Sequence, residues 1–463
     1  MASGARLPAD PISGPAGEGA EFEGVAPASA SLVAAGARLI DGATGEDVPL
    51  KVDLDLPEGL VFARTGLDVA SVRRYLAAWD ARRPVAVLDP ALAPETLADL
   101  VRRFEPAAVL GVDLGEAGDR PAGYTDADLH GPAWVRATAP EHAPHPDLAV
   151  LLATSGSTGD PKLVRLSRAG VLHNAAAIAD VLGLDRHEVA PTSLPLFYSF
   201  GLSVLHSHLT AGATVLVVDG GVLARPFWDA VDRHGATSLA GVPYSYEMLA
   251  KIRWTPAKHP TLRSLTQAGG RLRDELIERF AGQVERFHVM WGQTEAGPRM
   301  TTLPADRVAD KLGSVGLPLP GGSLSIVDGE VVYAGPNVMM GYATTAADLA
   351  RGDELGGVLH TGDLGELDAD GYLWLKGRTK RFGKVFGVRL NLDDIEGMLA
   401  DLGPVAAVSG PDKVLVYVEG PTEDVVPRLA ARLKLHRTGF EAHRVERLPL
   451  LPNGKVDYRG LAG

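Results

Sequence analysis

What most restricts the fold is an alternation. Between residues 85 and 291, short apolar runs of strand length recur, separated by stretches with helical periodicity. The runs Val85 to Leu88, Leu148 to Ala153, Thr214 to Val218, Ser238 to Val242, a segment near Leu265, and His288 to Trp291 are bounded and short, as buried strands are. Between them, Leu97, Leu100, Val101 and Phe104 fall on one face of a helix that opens near Pro94, where proline suits the first turn. Further helices are expected over about 168–182, from Pro226, around Glu247 and over 273–280. Such alternation builds a mainly parallel sheet with helices on its faces.

From about residue 313 the texture changes. Asp328-Gly329 and Asp370-Gly371 each sit between short apolar runs and signal hairpins, hence an antiparallel unit attached to the α/β body. Beyond the basic segment Gly377 to Arg389, a helix near 393–402, a strand Val414 to Val418 and a helix over 425–435 mark a third unit. The expected fold class is α/β: a large N-terminal domain of mainly parallel α/β layers plus the antiparallel unit, over 31–379, and a small mobile α+β domain over 380–463. Residues 1–30 are rich in Ala, Gly, Pro, Ser and Glu, and a flexible tail is expected there.

Composition excludes some chemistries. With 46% hydrophobic and 22% charged residues the chain is globular in character. It has no cysteine, so disulfides, thiolate nucleophiles and cysteine-held metals are excluded, and any thioester must form on a partner's sulfur. The balance of 45 Lys and Arg against 58 Asp and Glu, −13, argues against a nucleic-acid partner but not against a small polyanion. No apolar run is long enough to span a membrane, and the N-terminus lacks the apolar core of a secretory signal, so a cytoplasmic protein without a membrane partner is expected.

Five segments carry chemistry. Thr154-Ser155-Gly156-Ser157-Thr158-Gly159-Asp160-Pro161-Lys162 follows an apolar strand; its glycines allow close backbone approach to a phosphate, its hydroxyls donate, and Lys162 adds charge at the rim. A surface linker is the plainer reading. Trp291-Gly292-Gln293-Thr294-Glu295 ends another strand, where open α/β sheets place ligands, and offers an aromatic face, a hydroxyl and a hard oxygen ligand for Mg²⁺. Asp363, in His360-Thr361-Gly362-Asp363, could accept two ribose hydroxyls or simply close an Asx-type turn. Gly377 to Arg389 interleaves cations with glycines and aromatics, either a solvated face or a hinge beside an anion. Lys455 stands on a Pro-Asn-Gly turn, where most lysines are merely exposed.

In this order the five segments resemble the motifs of the adenylate-forming superfamily, which includes acyl-CoA synthetases, peptide-synthetase adenylation domains and firefly luciferase. The likeness extends from about residue 85 to the end. It implies that Thr154 to Gly159 and Lys162 hold the ATP phosphates, that Trp291 stacks on adenine beside Gly292, and that Asp363 and Arg378 hold the ribose. Thr294 would meet the α-phosphate, Glu295 would bind Mg²⁺, and Lys455 would bridge the carboxylate and the α-phosphate. Lys380 takes the hinge position, and Gly387 would line the channel of an acceptor, coenzyme A or a carrier-protein phosphopantetheine. The acid pocket is implied among Tyr198, Phe200, Gly201, Val242, Tyr244 and Ser245; Gly269 and Gly270 are shared with the adenine and ribose set. The chain departs from the pattern at Trp291 (usually tyrosine), Tyr198 (often histidine) and Lys380 (often aspartate). It also lacks a recognisable early helix ahead of the phosphate loop, and its final domain is short.

The implied activity is ATP-dependent adenylation of a small carboxylic acid with release of pyrophosphate, followed by transfer to a thiol. An amine acceptor, an unusual oxyanion such as nitrite, or a non-catalytic nucleotide-binding protein on the same fold are the alternatives.

Overall fold

Val61–Arg64, Val85–Leu88, Ala108–Leu110 and Leu148–Ala153 lie side by side, all parallel, in the middle of an eight-stranded sheet. Antiparallel strands complete it: Leu163–Ser167 and Gly341–Ala343 on one side, Pro132–Arg136 and Tyr124–Asp128 on the other. Every residue of Val85–Leu88 is buried, as in a strand covered on both faces. This computed structural model describes residues 31–112, 120–153, 162–378, 381–386, 388–411, 413–452 and 454–462. The expected tail, 1–30, lies outside them.

One helix on this sheet corrects the sequence reading. Val69–Asp80 is an early helix, capped by Asp68, whose carboxylate accepts from the Ser71 N–H at 2.7 Å. Its apolar stripe is interrupted by Arg73 and Arg74, and several of its buried side chains are only alanine or serine. The Asp-x-x-Ser cap was the available signal.

A second sheet runs in the order Ser238–Gly241, Ser264–Gln267, Arg286–Trp291, Thr301–Leu303, Leu317–Pro318; the first three strands are parallel and the last two antiparallel. Its two faces differ. Leu239, Leu265, Phe287, Val289 and Leu303 pack into one apolar cluster with Tyr246, Leu249 and Phe280. The opposite face mixes Ala240 and Met290 with Ser238, Ser264, Thr266, His288 and Thr302, all buried as well. Helices Arg168–Leu182 and Ser199–Thr210 pack on each other, and side chains of both line the space against this mixed face. A smaller sheet, Val189–Pro191, Thr214–Val217, Arg38–Asp41 and Asp47–Val48, adjoins.

The antiparallel unit is as expected: Ser323–Val327, Glu330–Ala334, Val358–Leu367 and Leu373–Arg378 in that order. Asp328 and Gly329 both have positive φ, 50° and 82°, the geometry a two-residue hairpin turn demands. At the second turn the Asp368 carboxylate instead accepts the N–H groups of Asp370 and Tyr372, each at 3.0 Å. The C-terminal unit is α+β: the hairpin Phe382–Val385 and Val388–Asn391, the helix Leu392–Met398, three strands Val405–Gly410, Lys413–Val418 and Phe440–Arg444, and the helix Val425–Leu433, around a core of its own. Among the described residues no helix is long and apolar enough to cross a membrane.

Candidate functional site

The strand Arg286–Trp291 delivers its last residues to the junction between the second sheet and the antiparallel unit. Gly292 is required there, because a Cβ would lie 1.9 Å from the Pro298 carbonyl oxygen. The chain then makes one turn of 3₁₀ helix, Thr294–Ala296. The Thr294 hydroxyl meets Ser199 Oγ at 3.1 Å, tying the turn to the start of helix Ser199–Thr210. Glu295 Oε1 accepts from the Tyr342 hydroxyl at 2.9 Å, and the Lys162 ammonium stands 5.6 Å from the centre of the same Tyr342 ring. Lys162 is thereby brought to Glu295's side of the site. Thr154, Ser155, Gly156, Ser157, Thr158 and Gly159 lie outside the described residues.

Asp363, on Val358–Leu367, is buried and accepts three donors: Arg378 Nε at 2.9 Å on Oδ1, and Trp291 Nε1 and Gln293 Nε2, each at 3.1 Å, on Oδ2. Burial pushes its carboxyl above the usual range, against the pull of Arg378, Gln293 and Trp291. Trp291 is packed more closely than a free stacking face. Its ring is packed among Met300, Val331, Tyr333 and Leu373, leaving 9% exposed, and its N–H orients Asp363.

Lys455 is part-buried, where the plainer reading of its turn expects exposure. Its turn is closed by Leu451 N–H to Lys455 O and Gly454 N–H to Leu451 O, both 2.8 Å, with Gly454 at φ 78°. The ammonium lies 5.6 Å from the centre of the Tyr198 ring. Burial, and then Arg378, push it down to about 8, while Glu295 and Asp363 favour its charge. Four residues far apart in sequence thus share one electrostatic environment.

The expected acid pocket is partly assembled. A Cβ on Gly269 would fall 2.5 Å from the Tyr198 hydroxyl and 3.2 Å from Val242, so Tyr198, Val242 and Gly269 are in close contact. Phe200 meets Tyr198 edge-on at 6.3 Å. Gly201 serves packing: a Cβ would lie 2.2 Å from the Pro195 carbonyl oxygen. Tyr244 accepts a hydrogen bond from Arg447 of the C-terminal unit, Ser245 lies in the first turn of Pro243–Lys251, and the Gly270 carbonyl accepts from Gln267 at 2.7 Å. Lys380 and Gly387 lie outside the described residues. Next to them, Arg381 is bound by Asp393 and Glu396 and stacks on Tyr458, so part of the basic segment is neutralised within its own unit.

Residues 70–343 match the AMP-binding enzyme family. The chain belongs to that family. Among curated relatives, the indoleacetate–CoA ligase of Aromatoleum aromaticum is 31% identical over 334 residues, covering 65% of this chain and 64% of that protein, so the match spans less than two thirds of the relative's length. The feruloyl-CoA synthase of an Amycolatopsis species is 29% identical over 343 residues, covering 67% and 68%. Among solved structures, the o-succinylbenzoate CoA synthetase MenE of Bacillus subtilis, in complex with its acyl-adenylate OSB-AMP, superimposes with a TM-score of 0.69 at 20% identity, covering 89% of each chain. ATP-bound MatB of Rhodopseudomonas palustris gives 0.71 at 21% identity, covering 92% of this chain and 95% of that one. At those identities the likeness is one of fold: a large α/β N-terminal domain with a small C-terminal one.

The sequence reading of this AMP-binding enzyme missed four residues of the site. Gln293 sits inside a quoted motif and bridges the Thr361 carbonyl, at 2.7 Å, to Asp363. Ser199 and Tyr342 come from other elements, and no local pattern marks them. The fourth, Arg299, is fully buried: Nε donates to Ser203 Oγ at 3.1 Å, Nη1 to Met290 Sδ at 3.3 Å, and the guanidinium lies 4.6 Å from the Phe200 ring centre.

Proposed function

We propose that the protein is an ATP-dependent, AMP-forming ligase that adenylates a small carboxylic acid and passes the acyl group to a thiol, coenzyme A or a carrier-bound phosphopantetheine. The observation that carries this reading is the environment of Lys455, which shares its surroundings with Glu295, Asp363 and Arg378 although it comes from the C-terminal unit. A carboxylate is a poor electrophile. Attack of its oxygen on the α-phosphorus of ATP, with departure of pyrophosphate, converts it to an acyl group carrying AMP as a good leaving group. Charge gathers on phosphoryl oxygens along that path, and cationic donors fixed in advance stabilise it.

Lys455 is the donor for the carboxylate and α-phosphate oxygens, and Thr294 is a second donor to the α-phosphate. Asp363, already oriented by Trp291 and Gln293, is the acceptor for ribose hydroxyls, and Arg378 is its neutralising partner. The donor set suits Mg²⁺: Glu295 has one carboxylate oxygen held by Tyr342, and its other oxygen has no partner among the described residues. Bound there, Mg²⁺ would supply charge neutralisation for the phosphates. The phosphate-gripping residues 154–159 complete the assignment from the family resemblance. Because the chain has no cysteine, the sulfur of any thioester belongs to the acceptor. The CoA ligases among the relatives support a thiol acceptor.

The test is pyrophosphate release from ATP across a panel of acids, followed by addition of coenzyme A. Lys455→Met is expected to slow release by about 10²–10³-fold with an unchanged melting temperature. Equal release by variant and parent would overturn the assignment.

A further inference from the structure

Tyr342 belongs to none of the five motif segments, yet it touches two of them. It is the middle residue of Gly341–Ala343, the strand at one edge of the eight-stranded sheet, and stands opposite Val164 on the antiparallel neighbour Leu163–Ser167. That neighbour begins one residue after Lys162, so the pairing brings the Lys162 ammonium to the Tyr342 ring, 5.6 Å from its centre. The stretch just before Tyr342 is laced to the turn that carries Glu295. Met339 N–H donates to the Glu295 carbonyl at 2.9 Å, and Asn337 Nδ2 donates to the Ala296 carbonyl at 2.5 Å. The Tyr342 hydroxyl completes the link by donating to Glu295 Oε1 at 2.9 Å.

The backbone around Tyr342 is held from further sides. Its carbonyl accepts from Arg351 Nη2 at 2.8 Å, and Arg351 is itself paired with Asp348 and Glu354, at 3.2 and 2.9 Å. The fully buried Arg165 donates to the Met340 carbonyl at 2.9 Å. The Tyr342 side chain is half-buried, packed on the core of the eight-stranded sheet and bordering a surface cavity. A side chain carried on so fixed a backbone can set the direction of the groups it touches.

Two parts of Tyr342 touch two different groups. A carboxylate with one oxygen held by a hydroxyl presents the other in a set direction, and that other oxygen of Glu295 has no partner among the described residues. An aromatic face attracts an ammonium within about 6 Å, weakly where water reaches the cation, as it does at the exposed Lys162. We propose that Tyr342 is a positioning residue with two separable parts: its hydroxyl aims Glu295 at a divalent cation on the ATP phosphates, and its ring steers Lys162 toward those phosphates. This rests on the adenylation reading for the ligand, ATP with Mg²⁺. No bond to Tyr342 forms or breaks.

The experiment is calorimetric binding of ATP and of AMP to the full chain, in EDTA and in saturating Mg²⁺, with no acid present. The parent is expected to gain ATP affinity when Mg²⁺ is added. Tyr342→Phe, which removes one oxygen and keeps the ring, should lose about tenfold of that gain, the effect typical of groups that orient a metal ligand, while binding AMP in EDTA as the parent does. Tyr342→Leu should lose the same gain and, in EDTA, also bind ATP about threefold more weakly relative to AMP, as an exposed cation–ring contact is worth. In a Glu295→Ala background, adding Tyr342→Phe should weaken ATP no further, because the hydroxyl then has no metal ligand to aim. A Mg²⁺ gain that survives Tyr342→Phe, or a further loss in the double variant, would overturn the hydroxyl's part. An equal ATP-to-AMP preference in the leucine and phenylalanine variants would overturn the ring's part. Both variants report on the hydroxyl, so failure of one to fold leaves the other decisive. A parent without any Mg²⁺ gain would overturn the inference together with the metal assignment of Glu295. If the gain is present and lost as expected but no acid releases pyrophosphate from ATP, the adenylation reading falls and the role of Tyr342 stands.

Discussion

His206, His208 and His288 sit where water does not reach them, and burial pushes the first down to about 3 and the other two to about 4. Their folded values lie below the ordinary 6.5, so above that pH they cost nothing. As pH falls from about 6.5 towards 4 the unfolded chain takes up protons that the folded chain refuses, and stability is lost, by about 2 kcal/mol per imidazole at pH 5. His288 gives a clean test because its ring has no hydrogen bond to lose. His288→Leu is expected to lose about 2 kcal/mol less than the parent between pH 7.5 and pH 5 in denaturant titrations; identical losses would mean that the ring is solvated or paired. Trp291 separates packing from orientation. Trp291→Ala should cost about 3–5 kcal/mol, as large core aromatics do. Trp291→Phe, which keeps a ring but removes the N–H held by Asp363, should cost less and weaken ATP binding, as read by nucleotide titration. Equal nucleotide affinity in Trp291→Phe would show that the N–H does not position Asp363 for ligand.

At the level of elements, the junction between strand Arg286–Trp291 and the turn Thr294–Ala296 has the least room. Gly292→Ala would place a methyl against the Pro298 backbone, and an expected loss of about 3 kcal/mol should appear as a lowered thermal midpoint together with weaker pyrophosphate release. An unchanged midpoint would show that the turn can move aside. That junction was legible in the sequence because strand, glycine, hydroxyl and carboxylate follow one another without a break. Strands such as Val85–Leu88 were legible too, since burial on both faces leaves an uninterrupted apolar run. Helix Ser199–Thr210 was not: it is buried nearly all round, so its sequence shows no amphipathic stripe. Tyr342 reaches Glu295 through strand pairing of Gly341–Ala343 with Leu163–Ser167, a long-range event with no linear signature. Arg299 sits four positions past Glu295, yet a single arginine after Gly297-Pro298 reads as surface until the sheet face that buries it is known.

On the scale of the whole molecule, the C-terminal unit rests on the large domain at a few points. Lys251 and Glu419 pair at 3.4 Å, Arg447 reaches Tyr244, and Gly454 touches Val242, where a Cβ would lie 2.9 Å from the valine methyl. The ion pair is half exposed and adds little. The glycine contact decides how closely Lys455 can approach. Gly454→Ala, at φ 78° and against Val242, is expected to slow pyrophosphate release about tenfold or more, and adding Val242→Ala should recover part of the loss by making room; no recovery would assign the effect to backbone strain alone. The uneven second sheet has a consequence for how such a molecule can change over generations. Its apolar side, packed on Phe280 and Tyr246, anchors the fold and tolerates little alteration. On its other side the His288 ring and the Thr302 hydroxyl have no hydrogen-bond partner among the described residues, so exchanging those two groups breaks no pairing on which the framework is built. Robustness and adaptability are divided between the two sides of one layer a single residue thick.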